Sequence, residues 1–452
     1  MKKQLLFLFL ILCNTTINAQ CWSVVSSKNS NSVFGVQNDG TLWGWGDNAK
    51  GQLCDGTTTS KNTPTQIGTD TNWSSVVTGI GHVIALKTDG TLWSWGVNNW
   101  GQLGNGNYVD STTPAQIGSD TDWQTISSGK DHTLALKTNG TLWAWGNNGA
   151  GQLGDGTLVK KNTPVQIGTD TNWTKIKTGE NFSIAIKTDG TIWSWGINLR
   201  GQLGQGNTTN RNTPTQIGTD TNWSTTDTGS FHVIALKTNG TIWTWGLNSS
   251  YQLGDGTNVD KLIPTLIGTQ TNWTNVGAGG ATSFALVSGN VFAVGSNIFG
   301  QSGVSLTQPN LFSFTAIGSD TNWAKVEGGL SFSIAIKNNS TLYTAGDNSS
   351  GQLGDGTFVQ NNTFTQVSCP SLKTTNFDAI SFRFYPNPVQ NLLNISSNLE
   401  IKSIEIYNLQ GNKIITTSNK QINVSNLASG VYLVKIQDEY NLISTQKIII
   451  NH

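Results

Sequence analysis

The sequence predicts an all-β protein, a seven-bladed β-propeller followed by a small C-terminal β-sandwich, and three observations support this prediction. A Gly-Gln-Leu-Gly motif or a close variant recurs about every fifty residues. A tryptophan opens each of seven units, and Asp-Gly or Asn-Gly separates short apolar runs within them. A period of this length indicates stacked or circularly arranged copies of one supersecondary unit.

The repeated markers fall at equivalent positions in successive units. The motif begins at Gly101, Gly151 and Gly201, and its variants begin at Gly51, Tyr251, Gly300 and Gly351. The opening tryptophans are Trp22, Trp73, Trp123, Trp173, Trp223, Trp273 and Trp323. Every tryptophan except Trp100 occupies a repeated position, so these rings are interpreted first as structural residues that fill the same slot in each unit.

The second unit shows the strand pattern most clearly. Residues 83–87 and 91–95 are predicted strands joined by a tight turn at Asp89-Gly90. Residues 65–67 and 73–77 are predicted to form two more short strands. Four short strands per unit are typical of a propeller blade. An open stack would need polar capping units, which the sequence lacks.

The last unit supplies a segment that the first unit lacks. Residues 366–369 match residues 66–69, so the C-terminal strand is predicted to pair beside the first strand in a sheet shared by both chain ends. In this alignment Cys21 and Cys369 lie three positions apart across a turn, a spacing compatible with a disulfide. We therefore expect a Cys21–Cys369 disulfide, with two unpaired cysteines as the alternative. Cys54 is expected to be a free, packed thiol.

The chain ends predict export. Residues 1–19 read as a signal peptide, because Lys2 and Lys3 precede an apolar stretch that ends in small residues. Residues 20–369 are assigned to the propeller, 370–382 to a linker, and 383–452 to the sandwich, where apolar residues alternate between spaced turns. No other stretch is long and apolar enough to span a bilayer.

The charge balance argues against a nucleic-acid partner. The chain carries 26 basic and 26 acidic residues, so it has no net field that would gather nucleic acid or anionic lipid. Charged residues make up only 12% of the chain, so its surface is predicted to consist mainly of Thr, Asn, Ser and Gly. A monomer is expected.

The repeat also resembles a known family. Its characteristic residues are Gly-Lys-Asp-His-Thr-Leu-Ala-Leu at 129–136, Trp-Ala-Trp-Gly-Asn-Asn at 143–148 and Gly-Gln-Leu-Gly at 151–154. This unit resembles the repeat of the regulator-of-chromosome-condensation (RCC1) family, which forms seven-bladed propellers, and the resemblance spans about residues 21–369. The family's founder is a nucleotide-exchange factor that binds chromatin. The constant period leaves no room for an exchange wedge, so the resemblance implies the fold and not that activity.

The C-terminal segment has a second resemblance. It carries Tyr-Pro-Asn-Pro at 385–388, Ile-Tyr-Asn at 406–408, Leu-Ala-Ser-Gly-Val-Tyr at 427–432 and Lys-Ile-Ile-Ile at 447–450. This series is similar to the type A sorting domain of the Bacteroidota type IX secretion system. The resemblance implies that the secretion machinery recognises residues 383–452 and then removes them. The propeller would remain on the outer cell surface or be released outside the cell.

The titratable residues predict neither a metal site nor a cofactor. His82, His132 and His232 share one repeat position with Phe182 and Phe332, so they are interpreted as packing residues. No Cys/His cluster has zinc spacing, and the glycine-rich runs lack the residues of a phosphate-binding loop.

One group of residues supports an enzyme as the alternative function. Lys130, Asp131 and His132 in the third unit neighbour Glu180 in the fourth unit. Acid, base and imidazole on adjacent blades would form a hydrolase site at one ring opening. Scattered solvated charges are the structural alternative.

The positions at which the repeats differ are the expected binding surface. The candidates flank the Gly-Gln-Leu-Gly motif and are Trp100, Tyr108, Leu199, Arg200 and Phe299. Exposed aromatic residues and arginine are enriched at protein-binding hot spots, and aromatic rings also stack on sugars. The favoured function is a noncatalytic binding or adhesion module that recognises a protein or glycan through its loops. The alternative is that the loops have diverged without a binding role and that Trp100 packs on its own blade.

Overall fold

The computed structural model describes residues 21–28, 30–304, 308–370, 383–397, 400–438 and 443–452. The predicted signal peptide and residues 371–382 of the predicted linker lie outside the described residues. The chain divides into two compact units, Met1–Cys369 and Pro370–His452. Within the described ranges, no helix has the length and apolar character needed to cross a membrane.

The first unit contains seven antiparallel sheets of four consecutive strands each, which confirms the predicted seven-bladed propeller. Blade 1 consists of β1 (Trp22–Ser26), β2 (Ser32–Gln37), β3 (Leu42–Gly46) and β4 (Lys61–Gln66). Blade 2 consists of β5 (Trp73–Thr78), β6 (His82–Lys87), β7 (Leu92–Gly96) and β8 (Ser111–Gln116). Blade 3 consists of β9 (Trp123–Ser128), β10 (His132–Lys137), β11 (Leu142–Gly146) and β12 (Lys161–Gln166). Blade 4 consists of β13 (Trp173–Thr178), β14 (Phe182–Lys187), β15 (Ile192–Gly196) and β16 (Arg211–Gln216).

The last three blades follow the same order. Blade 5 consists of β17 (Trp223–Thr228), β18 (His232–Lys237), β19 (Ile242–Gly246) and β20 (Lys261–Leu266). Blade 6 consists of β21 (Asn275–Ala278), β22 (Thr282–Val287), β23 (Asn290–Ser296) and β24 (Asn310–Ala316). Blade 7 consists of β25 (Trp323–Gly328), β26 (Phe332–Lys337), β27 (Leu342–Gly346) and β28 (Asn361–Gln366).

Burial along a blade explains its residue pattern. The first strand of every blade contributes to the lining of the central cavity. All six residues of β10 are buried, because both faces of this second strand pack against neighbouring blades. The outer strand β12 is only partly buried, and it contains Pro164. Proline is tolerated there because an edge strand does not need every backbone N–H for the sheet.

The Gly-Gln-Leu-Gly motif joins each blade to the next one. The Nε1 of the fully buried Trp145 in blade 3 donates to the backbone oxygen of Gln102 in blade 2 at 3.0 Å. Gly101 has a φ of +78°, and a Cβ there would lie 2.7 Å from the Cα of Asn162 in blade 3. Glycine is therefore required both by the backbone conformation and by the close approach of the neighbouring blade.

The prediction of a sheet shared by both chain ends is wrong. Among the described residues β1 pairs with β2 and β28 pairs with β27, so each blade is built from contiguous chain. The segment after β28 occupies the place of a link between blades and is not a strand. The ends meet through a Cys21–Cys369 disulfide with a Cα–Cα distance of 5.9 Å and through packing of Trp22 against Phe332. Cys54 is a free, partly buried thiol.

The second unit is the predicted β-sandwich. Its strands are β29 (Arg383–Tyr385), β30 (Leu392–Ser396), β31 (Ile401–Asn408), β32 (Lys413–Thr417), β33 (Gln421–Asn423), β34 (Gly430–Asp438) and β35 (Ile443–Ile450). They form a three-stranded sheet in the order β29-β30-β33 and a four-stranded sheet in the order β32-β31-β34-β35. Buried aliphatic side chains from both sheets, including Leu393, Ile406 and Val434, form one core.

Candidate functional site

The strand order places two connections of every blade at the same end of the propeller. Because successive strands are antiparallel, the connection between strands one and two and the connection between strands three and four lie together. We call this end the loop face. The tight turns and the links between blades lie at the opposite end, the turn face. The five predicted binding residues, together with Lys130, Asp131 and Glu180, all belong to connections on the loop face.

Buried amide side chains fix the backbone of the long loops. The Nδ2 of the fully buried Asn148 donates to Asp155 Oδ1 at 2.9 Å and to the backbone oxygen of Thr157 at 3.1 Å. Gln102 Oε1 accepts the backbone N–H of Trp100 at 2.8 Å. The same bond recurs in the other blades, where the acceptors are Gln52, Gln152, Gln202, Gln252, Gln301 and Gln352. The variable side chains therefore project from an ordered backbone, which lowers the entropic cost of binding.

Exposed large apolar side chains are concentrated on these loops. They are Trp100, Tyr108, Val109, Leu158, Val159, Leu199, Val259, Ile298, Phe299, Phe358 and Val359. Their exposure ranges from 38% for Phe299 to 70% for Val109. These exposed apolar side chains make the loop face the candidate binding region of the propeller.

Trp100 and Tyr108 are brought together by a lysine of the next blade. Trp100 is 43% exposed and Tyr108 is 42% exposed, so neither ring is packed away on its own blade. Lys160 Nζ lies 4.1 Å from the centroid of the Tyr108 ring and 5.4 Å from that of the Trp100 ring. It also donates to the backbone oxygen of Asn99 at 3.2 Å. These cation–π contacts hold two aromatic rings at the surface between blades 2 and 3.

Arg200 makes a corresponding contact between blades 4 and 5. Its Nη1 lies 3.7 Å from Asp260 Oδ2, and most of its side chain is exposed. Leu199 beside it is 66% exposed. In the described parts of the chain, no hydrogen bond, ion pair or ring contact connects Arg200 or Phe299 with Trp100. The structure thus joins two of the five predicted binding residues and distributes the others over the same face.

The predicted alternative enzyme group is only partly assembled. The backbone N–H of Lys130 donates to the backbone oxygen of Glu180 at 2.9 Å, so these residues are neighbours at the ring opening. Burial raises the pKa of Asp131, an effect that Lys130 opposes and Glu180 reinforces. His132 is fully buried, however, and its Nε2 lies 3.0 Å from Ser183 Oγ of the next blade. The imidazole belongs to the interface between blades and does not face the opening.

The three repeated histidines share this buried environment. Their Nε2 atoms lie 2.8 Å from Ser128 for His82, 3.0 Å from Ser183 for His132 and 2.9 Å from Ser283 for His232. Ser183 and Ser283 donate to backbone oxygens, so they accept from Nε2, and the proton of those two histidines resides there. The Nδ1 atoms have no hydrogen-bond partner among the described residues. Burial lowers the pKa of each of the three histidines to about 3.

The central cavity contains an ionic cluster that the sequence analysis missed. The cavity has a volume of about 150 Å³. Asp227 Oδ1 bonds Lys28 Nζ and lies 3.3 Å from Lys177 Nζ, while Oδ2 accepts the N–H of Ala278 at 2.9 Å. Burial favours the neutral acid, but the two lysines hold the pKa of Asp227 well below its usual range. This cluster ties four blades together across the ring.

A repeat alignment contains the signal for this cluster. Lys177, Asp227 and Glu327 occupy the position that Val77 and Ser127 hold in other units. Charged residues at one position of an inner strand face a common cavity once the ring is closed. Lys177 and Asp227 therefore meet although fifty residues separate them, and Glu327 lines the same cavity.

A different ion pair recurs at the outer rim of the turn face. In blade 4, Lys187 Nζ lies 4.6 Å from the Trp173 centroid, 4.1 Å from the Trp193 centroid and 2.7 Å from Asp170 Oδ2. We call this arrangement the lysine socket. The corresponding lysines of the other sockets are Lys87, Lys137, Lys237 and Lys337. Blade 6 replaces both charged residues, with Val287 for the lysine and Gln270 for the aspartate.

Solved structures share this architecture. The chain is similar to human WBSCR16, with a TM-score of 0.65 and 20% identity over 73% of this chain and 94% of that chain. It is also similar to yeast RCC1 (Prp20) in complex with Kap60, with a TM-score of 0.66 and 18% identity over 81% of this chain and 88% of that chain. Identities this low show the fold alone. A search of curated proteins finds no significant match.

Family models match both units. Residues 14–285 match the RCC1-like domain, and residues 383–451 match the secretion system C-terminal sorting domain. The sorting domain indicates export to the cell surface or the extracellular space. Because the first match covers more than half of a chain that folds into seven four-stranded blades, the protein belongs to the RCC1-like domain family and carries a C-terminal sorting domain.

Proposed function

We propose that the propeller is a noncatalytic binding module that acts outside the cell and binds a protein through its loop face. The observation that carries this proposal is the concentration of exposed apolar side chains on loops whose backbone is already fixed. We call five exposed apolar residues on the long loops of blades 2, 3 and 4 the loop patch: Trp100, Tyr108, Val109, Leu158 and Leu199.

The chemistry of the loop patch favours a protein over other ligands. Its aliphatic side chains offer apolar area that a protein partner can bury, whereas a glycan would use mainly the two aromatic rings. Trp100, Tyr108 and Arg200, which lies on the corresponding loop of blade 4, are of the residue types that contribute most at protein interfaces. The chain has no net charge, so its surface has no electrostatic preference for nucleic acid. Yeast RCC1 (Prp20), which shares this fold, has been solved bound to a protein, Kap60.

A binding screen with matched variants tests the proposal. The labelled protein is presented to a panel of purified bacterial envelope and host surface proteins and to a glycan array, and saturable binding to a member of the protein panel is expected. The double variant Trp100→Ala/Tyr108→Ala should weaken that binding at least tenfold, because about 1.4 kcal/mol corresponds to a factor of ten. Phe312→Ala is the matched control, since Phe312 is 49% exposed on the outer strand of blade 6. Saturable binding to glycans alone would contradict the proposal.

A hydrolase at the ring opening is the second candidate function. The neighbouring positions of Asp131 and Glu180 at the ring opening favour it, together with the burial that raises the pKa of Asp131, because paired carboxyl groups of different environment commonly serve as acid and base in hydrolysis. Turnover of a polysaccharide or peptide substrate should then be lost in Asp131→Asn and in Glu180→Gln and retained in Trp100→Ala. That outcome would replace the binding proposal.

A further inference from the structure

Two equivalent cavities lie between neighbouring blades, and none of their lining residues belongs to the loop patch. One has a volume of about 370 Å³ and lies between blades 3 and 4, and the other has about 320 Å³ and lies between blades 4 and 5. Their linings correspond at a step of fifty residues, with Asp170, Trp173, Trp193 and Pro214 in the first and Asp220, Trp223, Trp243 and Pro264 in the second. We call them the inter-blade pockets. Their recurrence shows that they are a property of the repeat.

Each pocket combines a carboxylate with an aromatic and prolyl surface. In the first pocket Trp193 is partly exposed and meets the buried Trp173 edge-on at a centroid distance of 5.9 Å. The side chain of Asp170 is 52% exposed. Its Oδ2 is engaged by Lys187 at 2.7 Å, and no donor among the described residues reaches Oδ1. A hydrogen-bond acceptor is thus available beside an indole ring and Pro214.

This combination selects the chemistry of the ligand. An available carboxylate oxygen suits a ligand with hydroxyl donors, and indole and prolyl rings suit an apolar C–H surface. The charge of Asp170 is balanced by Lys187, so the pocket gains little from an anionic or a cationic ligand. Volumes of 320 and 370 Å³ fall within the usual range of small-molecule pockets, about 300–1,000 Å³. We propose that the inter-blade pockets bind neutral pyranose sugars, with the C–H face of the sugar on the side of Trp193 that Lys187 leaves uncovered and a hydroxyl group donating to Asp170 Oδ1.

The same four residue types recur at four junctions between blades. They are Asp70, Trp73, Trp93 and Pro114; Asp120, Trp123, Trp143 and Pro164; Asp170, Trp173, Trp193 and Pro214; and Asp220, Trp223, Trp243 and Pro264. The next junction breaks the set, because Gln270, Phe292 and Phe314 replace the aspartate, the second tryptophan and the proline. The repeat therefore predicts four equivalent sugar sites in one chain, two of which are the pockets described above. A glycan that reaches several of them gains avidity of about 10²–10⁴-fold over a single sugar.

Titration with simple sugars tests this proposal. The purified protein is titrated with the methyl glycosides of glucose, galactose, mannose and N-acetylglucosamine, and binding is followed by saturation-transfer difference NMR and calorimetry. Saturable binding of at least one sugar at four equivalent sites is expected. Replacing Asp70, Asp120, Asp170 and Asp220 together by alanine should weaken binding at least tenfold. The control is Asp189→Ala, which removes a carboxylate from the hairpin turn of blade 4 outside the pockets.

A second variant guards against a loss of binding through unfolding. Substituting phenylalanine for Pro114, Pro164, Pro214 and Pro264 fills the pockets and leaves the Lys–Asp pairs intact. Blade 7 already carries Phe364 at this position, packed on Trp323 at a centroid distance of 5.4 Å, so the repeat accommodates this ring. Both quadruple variants should retain a cooperative thermal transition and lose sugar binding. The absence of saturable binding to all four sugars, or unchanged binding in both variants, would overturn the proposal. The loop-patch side chains take no part in this titration, so either proposal can fail without the other.

Discussion

The lysine sockets at the rim and the ionic cluster in the central cavity both pair lysine with aspartate, but they differ in how often they recur and in how deeply the aspartate is buried. The sockets recur in five blades, and each aspartate is about half exposed, as Asp170 is with 52% exposure. The central cluster occurs once, and the side chain of Asp227 is only 6% exposed. An exposed ion pair contributes about 0–1 kcal/mol, whereas removing one partner of a buried pair costs about 3–5 kcal/mol.

From this difference we expect the stability of the propeller to depend more on the single central cluster than on any one of the repeated sockets. Each socket forms between one blade and the link that precedes it, so it does not require the ring to close. The central cluster depends on residues of different blades, such as Lys28 and Asp227, which are separated by 199 positions in the chain. The buried histidines lie between these extremes, because they repeat in three blades and are yet fully enclosed.

Acidification should produce the largest effect, through these histidines. The pKa of each falls from 6.5 to about 3 on folding. The unfolded chain therefore binds protons that the folded chain rejects, and stability is lost as the pH falls from about 6.5 towards 3. The expected loss approaches about 1.4 kcal/mol per pH unit for each histidine below about pH 6, where the unfolded imidazoles are protonated and the folded ones are still neutral. Urea unfolding followed by tryptophan fluorescence at pH 7, 6 and 5 measures this slope.

Blades 4 and 7 provide the control for the pH experiment. They carry Phe182 and Phe332 at the histidine position, so the triple variant His82→Phe/His132→Phe/His232→Phe uses a side chain that the repeat already accepts. Its stability should be nearly constant between pH 7 and 5, because exposed carboxylates remain ionised in that range. An unchanged slope in the triple variant would assign the acid sensitivity to other groups.

Asp227→Asn should be the most destabilising single substitution. It leaves Lys28 and Lys177 without their shared anion in the central cavity, at an expected cost of about 3–5 kcal/mol. Asp170→Asn in a lysine socket is the matched control and should cost about 1 kcal/mol or less. Chemical unfolding at pH 7 measures both values. Equal losses for the two variants would contradict the distinction between cavity and rim.

The sequence predicted those parts of the structure that each repeat determines locally. The tight turns, the four strands and the tryptophan slots depend on residues within one unit or its neighbour, so the fifty-residue period was sufficient. The prediction of a sheet shared by the chain ends was wrong because the segment after β28 matches a link between blades and not a strand. The central cluster was missed because a charged residue on the inner strand of one blade, such as Asp227, meets its partners from other blades only when the ring closes.

The same distinction applies to the candidate site. The sequence placed Trp100 and Tyr108 on variable loops because the repeats differ there. It did not predict that Lys160, on the variable loop of the next blade, contacts both rings. Contacts between loops of different blades depend on how the blades pack, and no periodicity along the chain reports that packing.

Removing the disulfide should have a smaller effect than acidification. The double variant Cys21→Ser/Cys369→Ser opens a link between residues 348 positions apart. The loss expected from chain entropy is about 2–5 kcal/mol, although its dependence on loop length is weak. Chemical unfolding measures the loss, and nonreducing peptide mass spectrometry should find one cross-linked peptide in the parent protein. Two free thiols at these positions would contradict the disulfide.

The smallest expected effect comes from converting a lysine socket into its blade 6 form. Lys187→Val should cost about 1 kcal/mol, because it removes a cation–π contact and a screened ion pair but leaves a half-exposed aspartate. Asp170→Gln alone should also cost about 1 kcal/mol or less, because it removes the half-exposed anion but leaves the ammonium group of Lys187 over the two indole rings. The double variant reproduces the combination of Val287 and Gln270, so its loss should fall short of the sum of the single losses by about 0.5–1 kcal/mol. Strictly additive losses in the double-mutant cycle would mean that the two side chains contribute to stability independently and that the socket is not an energetic unit.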